Sequence, residues 1–229
     1  MNLLSNPPRG AQIAVGVGRA YADFASLAEG LTPEQWRLPT RCAGWQVRDI
    51  AGHITGLAKD IADGFGGTRT GDQQAAALRD REPAELVKPL RLAAGSIVDL
   101  LNGLEEPSWQ KPGPVPGLTI EQSAIRLWHD LFIHTDDVRT ALGLPSDRGP
   151  GLGASLDDVL RRLQDDGFGP ARFVLTGVDG GGPQEIRFGR AGPRTPVVTI
   201  DALDFLMVST GRTDPASVGF GREINIYRE

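Results

Sequence analysis

Residues 128–143 read WHDLFIHTDDVRTALG, and the spacing of their apolar side chains indicates the architecture of the first part of the chain. With the preceding residue included, Leu127, Leu131, Val138 and Leu142 lie four or seven positions apart and so fall on one side of a helix. This spacing is typical of an amphipathic helix with one buried face. Thr119 and Gln122 form a capping-box signature and Gly143 is a typical stop, so we expect the helix to run from Ile120 to about Leu142.

Three segments upstream have helical spacing of the same kind. The first covers about 11–30, the second starts close to Gly44, and the third begins near Pro83. A short helical turn is expected at LTPEQW, residues 31–36, and a loop over 64–82, where the sequence is polar and rich in glycine. Four amphipathic helices joined in this way predict a four-helix bundle.

The character of the sequence changes between Ser146 and Gly151, where we place a domain boundary. Beyond it, one helical pattern is followed by three β-like runs, ARFVLTGV, QEIRFG and TPVVTI, and then by the helical segment DALDFLMVSTG, with Asp201 as its N-cap. The tail VGFGREINIYRE fits either an edge strand or a short helix. The predicted fold class is therefore α+β, with a helical bundle at residues 1–147 and a small α+β domain at residues 148–229.

The composition excludes several classes of protein. The chain has 24 Lys and Arg against 29 Asp and Glu, a formal net charge of −5, and no dense basic stripe, so we expect no nucleic-acid partner. The N-terminus lacks the features of a signal peptide, and no later stretch approaches the roughly 20 apolar residues of a membrane span, so we expect no membrane partner and a cytoplasmic protein. Cys42 is the only cysteine, which excludes an internal disulfide and a cysteine-rich zinc site. Because no base is adjacent to it in the sequence, we expect Cys42 to have a packing role.

Three side chains in the predicted bundle have the chemistry of a metal site. Asp130 and His134 lie one helical turn apart and project from the same side of their helix. His53, far upstream in GWQVRDIAGHITGL (residues 44–57), falls on or beside the apolar face of the second helix. If the two helices face each other, two imidazoles and a carboxylate form a ligand set for a divalent metal, zinc being the first expectation. Such a site keeps open positions that can polarise a carbonyl or activate a thiol.

The same residues also have a simpler interpretation. A histidine on an apolar face is more often a hydrogen-bonded core residue, and an aspartate four positions before a histidine can be a surface pair. His129 lies roughly 140° around the helix from His134, so both are not expected to bind one ion. Asp137, one turn after His134, is expected either to orient that imidazole or to be a solvated charge.

Three segments resemble a known family. LTPEQWRLPTRCAGWQVRDIAGHITGL (31–57) and LWHDLFIHTDDVRTALG (127–143) look like the metal-binding domain of the mycothiol-dependent maleylpyruvate isomerase family, within the wider DinB/YfiT-like superfamily. That family has a Gly-Trp pair followed by a metal-binding histidine, and then a helix of the form Glu-x-x-x-His-x-x-Asp. TPVVTIDALDFLMVSTGR (195–212) resembles its small C-terminal α+β domain, whose helix ends in a similar Ser-Gly-Arg sequence.

The resemblance implies an N-terminal DinB-like four-helix bundle, and an enzyme in which a divalent metal ion, commonly zinc, activates a low-molecular-weight thiol. Mycothiol is then the expected co-substrate, and a small electrophilic molecule the substrate. His53, Asp130 and His134 are the implied metal ligands, and we expect Asp137 and Arg212 to be catalytic residues. Asp130 stands where the family has a glutamate, which is one methylene longer, so metal affinity is expected to be lower unless the helix shifts or a water intervenes.

The sequence leaves the reaction open among isomerisation, conjugation and transfer. A first alternative is a metal-dependent hydrolase or amidase of the same superfamily, in which water replaces the thiol. A second is a noncatalytic protein that keeps the fold and binds a small molecule, because a fold by itself is weak support for an activity.

Overall fold

The computed structural model describes residues 10–178 and 182–228. Residues 1–9, which bear on the expected absence of a signal peptide, lie outside the described residues. Two compact units are present, one covering the described residues up to Asp147 and the other those from Arg148 onward. Among the described helices, none is both long enough and apolar enough to cross a lipid bilayer.

The N-terminal unit contains four long helices, whose bounds are α1 (Gly10–Glu29), α2 (Val47–Ala62), α4 (Pro83–Asn102) and α5 (Ile120–Ala141). Helix α1 packs on α4 and α5, and α2 packs on the same two helices, so the four close into a ring around one core. The largest fully buried side chains of this core are Ile13, Tyr21, Phe24, Ile50, Ile54, Leu90, Leu131 and Ile133. The predicted helical bundle is confirmed.

Helix α3 (Gly71–Leu78) is a correction to the sequence prediction, which placed a loop over residues 64–82. Thr70 caps it by accepting a hydrogen bond from the Gln73 backbone N–H, and the Gln73 side chain accepts one from the Thr70 N–H in return. Only Gln74 and Ala75 are buried, against α2. A helix of two turns with two buried positions is too short to have a visible apolar period, and for this reason its polar sequence resembles a loop.

The C-terminal unit is α+β, as predicted. It contains α6 (Pro150–Asp165), β1 (Ala171–Thr176), β2 (Gln184–Phe188), β3 (Val197–Asp201) and α7 (Ala202–Ser209). The strand order is β2-β1-β3, with β1 antiparallel to β2 and parallel to β3. Phe173 of β1 and Phe205 of α7 pack edge to face in its core, with their ring centroids 5.0 Å apart. For the tail VGFGREINIYRE (218–229) the sequence favoured neither a strand nor a helix; its described part contains a short 3₁₀ turn at Arg222–Ile224, and another, at Pro215–Val218, leads into it.

Two leucines on α4 provide a test of this core. Leu90 is 1% exposed, whereas Leu92 on the opposite side of the helix is 68% exposed. We expect Leu90→Ala to lower the free energy of unfolding by about 2–5 kcal/mol, because it leaves a cavity that the bundle fills only in part. Leu92→Ala is the control and should change it by less than about 0.5 kcal/mol. Urea unfolding followed by tryptophan fluorescence measures both, and equal losses would contradict the described packing.

Candidate metal centre

Helices α2 and α5 bring His53, Asp130 and His134 together. His53 Nε2 lies 3.2 Å from Asp130 Oδ2, and His134 Nε2 lies 3.7 Å from Asp130 Oδ1. The ligand atoms of the three side chains all lie within 4.8 Å of one another. The shorter aspartate side chain therefore reaches both imidazoles. The structure brings together the three residues that the sequence singled out as ligands.

The far nitrogen of each imidazole is held by an oxygen. His53 Nδ1 lies 2.8 Å from Oε1 of the buried Gln74, and His134 Nδ1 lies 3.2 Å from Oδ2 of Asp137. A carboxylate oxygen and an amide oxygen are acceptors only, so each Nδ1 must carry the hydrogen. In the neutral imidazoles, the lone pairs of both Nε2 atoms then point toward the carboxylate of Asp130.

When both imidazoles are neutral, three electron-rich groups face one another, and a proton or a metal ion between them would offset their repulsion. In the metal-free chain, protons have to supply the positive charge. Burial by itself would raise the pKa of the Asp130 carboxyl, but the neighbouring His53 and His134 outweigh it and hold that pKa well below its ordinary value. Burial would lower the pKa of His53, and Asp130 reverses this and raises it. A divalent ion satisfies the same three groups without added protons.

Trp45 forms an aromatic wall beside the two imidazoles. Its ring centroid lies 5.3 Å from that of His53 and 5.8 Å from that of His134, nearly parallel to the latter. The indole N–H donates to Asp72 at the start of α3, 2.8 Å away. Gly44, with φ of +79°, makes the left-handed turn that precedes Trp45 and that a side chain would strain. This turn places the tryptophan over the site.

Arg41, Cys42 and Asp137 form a second layer behind His134. Asp137 is fully buried, and its Oδ2 atom accepts hydrogen bonds from the Cys42 thiol at 3.1 Å and from His134 Nδ1. Its Oδ1 atom accepts from Arg41 Nε at 3.1 Å, and Arg41 also pairs with the buried Asp136. Of the two roles expected for Asp137, the structure therefore places it in contact with the imidazole and excludes a solvated charge.

The surroundings of Cys42 differ from those expected from the sequence. Its Sγ atom lies 3.8 Å from His134 Nδ1, and Cys42, His134 and Asp137 form a second group of potential metal-ligating atoms. The sequence alone shows no base near this cysteine because the imidazole lies 92 positions further along the chain. Only the packing of α5 beside the turn before α2 brings them together.

Two other residues named from the sequence, His129 and Arg212, are not part of the group formed by the three ligands. His129 is buried on α5 and belongs to neither potential metal group of the described residues. Arg212 follows α7 in the C-terminal unit, where it donates to the Thr210 carbonyl oxygen and lies over the ring of Tyr227.

Gln74 is the residue of the site that sequence analysis missed. It lies on α3, inside the segment that the sequence predicts to be a loop. Thr70 and Gln73, with the spacing of a capping box followed by three alanines, were the available signal for a helix. Nothing in the sequence indicated that the next glutamine faces His53, because that contact depends on how α3 packs against α2.

The chain is similar to one known family and to two solved structures of one enzyme. Residues 17–139 match the family described as the mycothiol maleylpyruvate isomerase N-terminal domain. A crystal structure of the mycothiol-dependent maleylpyruvate isomerase superposes with a TM-score of 0.65 at 12% sequence identity, covering 93% of this chain and 92% of that one. A histidine-to-alanine mutant of that enzyme gives a TM-score of 0.60 at 12% identity, with the same coverage. No curated protein matches the chain.

Arg41 provides a test of the layer behind His134. Arg41→Met removes the cation that faces two buried carboxylates, so we expect the free energy of unfolding to fall by about 3 kcal/mol or more. Arg37→Met, in the same connecting segment but exposed, is the matched control and should cost less than about 0.5 kcal/mol. Chemical denaturation compares the two variants. A loss at Arg41 no larger than that at Arg37 would mean that the ion pairs do not stabilise the unit.

Proposed function

This chain belongs to the mycothiol maleylpyruvate isomerase N-terminal domain family, and we therefore propose that it is a thiol-dependent isomerase. In this proposal His53, Asp130 and His134 hold a divalent metal ion, zinc being the first choice, and mycothiol is the thiol co-substrate. The observation that carries the proposal is the convergence of two imidazole Nε2 atoms and the Asp130 carboxylate, whose ligand atoms all lie within 4.8 Å of one another. The name of the family supports mycothiol and isomerisation.

The three residues fit such an ion on chemical grounds. Two neutral imidazoles and one carboxylate are a common zinc ligand set that leaves a coordination position for a substrate. Asp130 brings one negative charge, so the loaded site keeps a net positive charge that favours a thiolate over a thiol. When bound, a divalent ion lowers the pKa of a thiol held beside it and so supplies a nucleophile at neutral pH.

The residues around the ligands have defined tasks in this proposal. Asp137 holds the Nδ1–H of His134, so it is a positioning residue that acts through the imidazole and has no direct contact with substrate. Trp45 covers the two rings on one side and limits the access of water. Isomerisation requires that the thiolate add to an electrophilic carbon of the substrate and leave again after rotation about the weakened bond.

Arg212 is proposed to bind an anionic group of the substrate or of the thiol. In the C-terminal unit it lines a cavity of about 420 Å³ together with Arg222 and Arg228. Three guanidinium groups and the Asp214 carboxylate in one lining leave an excess of positive charge, and guanidinium binds carboxylates in a two-pronged manner.

The test measures bound metal and thiol-dependent turnover on the untagged protein. His53→Ala should lose stoichiometric zinc and lower turnover by more than the roughly 10- to 100-fold that removal of an outer contact costs. Arg212→Met is the comparison, since it should keep the zinc and raise only the KM of the anionic partner. Maleylpyruvate with mycothiol is the first substrate pair to assay, as the family name suggests.

The outcomes separate the alternatives. Full zinc content and full turnover in His53→Ala would contradict the proposal. Turnover with water alone, without a thiol, would instead indicate the hydrolase or amidase. Ligand binding with no turnover after zinc, nickel or manganese has been supplied would indicate a noncatalytic binding protein.

A further inference from the structure

We infer that Gln74 is a positioning residue that fixes which nitrogen of His53 faces the proposed ion, and that Asp60 and Arg69 hold Gln74 in this orientation. The inference rests on the proposed metal site and adds to it three residues outside the ligand set. They form one chain of hydrogen bonds, from Arg69 through Asp60 and Gln74 to His53.

The chain of contacts is short and mostly buried. Gln74 Oε1 lies 2.8 Å from His53 Nδ1, and Gln74 Nε2 donates to Asp60 Oδ2 over the same distance. Gln74 is 1% exposed, His53 6% and Asp60 7%. Water therefore has little access to these groups, and each must find its partner within the protein.

The direction of each hydrogen bond follows from the ionised carboxylate of Asp60. Arg69 donates from its Nε atom to both oxygens of Asp60, at 3.1 and 3.0 Å. Burial alone would raise the pKa of Asp60, but the bonds from Arg69 and Gln74 outweigh it and hold that pKa below its usual value. An ionised carboxylate only accepts, so the amide of Gln74 must present its NH₂ group to Asp60 and its oxygen to His53.

This polarity determines the state of His53. An amide oxygen at Nδ1 requires the hydrogen on Nδ1, which leaves the lone pair of Nε2 for the ion. Without Gln74 the favourable alternative is the opposite tautomer, in which Nε2–H donates to Asp130 and blocks that ligand atom. Arg69 balances the charge of Asp60, so the group that accepts from His53 is a neutral amide oxygen. The group that accepts from His134 is the carboxylate of Asp137.

Two glycines on α2 allow α3 to pack closely against it. A Cβ atom at Gly56 would lie 2.8 Å from the Cβ of Gln74, and one at Gly52 would lie 3.1 Å from the carbonyl oxygen of Ala75. Both glycines face α3, one turn apart. The close packing of α3 on α2 therefore brings the amide within reach of the imidazole.

A purely structural role is the competing explanation, since the same bonds also fasten α3 to α2. A positioning role and a structural role predict different results when the donor and the acceptor of the Gln74–Asp60 hydrogen bond are exchanged. In the double variant Gln74→Glu with Asp60→Asn, a carboxylate accepts from His53 Nδ1–H while the asparagine amide donates to it. The single variant Gln74→Glu instead places two carboxylates against each other.

The experiment uses the full chain, and measures zinc affinity by chelator competition together with the NMR signal of His53 Nδ1–H in the zinc-loaded protein. Gln74→Leu should weaken zinc binding by about 10- to 100-fold, the usual effect of removing the partner of a ligand imidazole. It should also abolish the slowly exchanging Nδ1–H signal. The double variant should recover most of the affinity and keep the signal, while Gln74→Glu alone should recover neither.

Asp63→Asn is the control for the loss of charge at Asp60, because it makes the same change at the exposed end of α2 and should leave zinc affinity unchanged. Circular dichroism identifies any variant that has lost α3. If Gln74→Leu has lost it, the double variant distinguishes the positioning role from the structural role. Wild-type affinity in Gln74→Leu, or a double variant no better than Gln74→Glu, would overturn the inference. Absence of zinc binding in the wild type would instead contradict the proposed function.

Discussion

The central constraint of the N-terminal unit is that two imidazole Nε2 atoms and a carboxylate meet in the same space between α2 and α5. Such groups repel one another when they are partly withdrawn from water, at a cost of several kcal/mol unless a cation lies between them. The repulsion cannot be relieved by turning the rings, because Gln74 and Asp137 hold the opposite nitrogens. In the proposed function, a divalent ion in this space offsets the repulsion.

The rest of the unit can be understood as support for that arrangement. The four long helices provide a rigid core, and the elements between them provide the outer contacts: the turn before α2 contributes Arg41, Cys42 and Trp45, and α3 contributes Gln74. The two imidazoles are supported differently, one by a neutral amide and the other by a carboxylate. A carboxylate partner makes an imidazole a stronger electron-pair donor to a metal, so in the proposed site His134 is expected to bind the ion more firmly than His53.

The sequence predicted what depends on periodicity and missed what depends on packing. Helix α5, its capping box and the projection of Asp130 and His134 from one side follow from local spacing, and all are present. His53 could be named because the resemblance and the scarcity of histidine pointed to it. The contacts of Gln74 and Cys42 could not be predicted, since α3 is too short to show a period and the partner of the cysteine is remote in sequence. Only the tertiary structure brings such residues together.

X-ray absorption spectroscopy of the zinc-loaded protein, without added thiol, tests the central claim most directly, because it reports the atoms bound to the ion. Two imidazole nitrogens and a carboxylate oxygen at about 2.0–2.2 Å, with no sulfur, are the expected result. A sulfur scatterer at about 2.3 Å would place the ion at Cys42, His134 and Asp137. That result, or a spectrum with fewer than two imidazoles, would contradict the account.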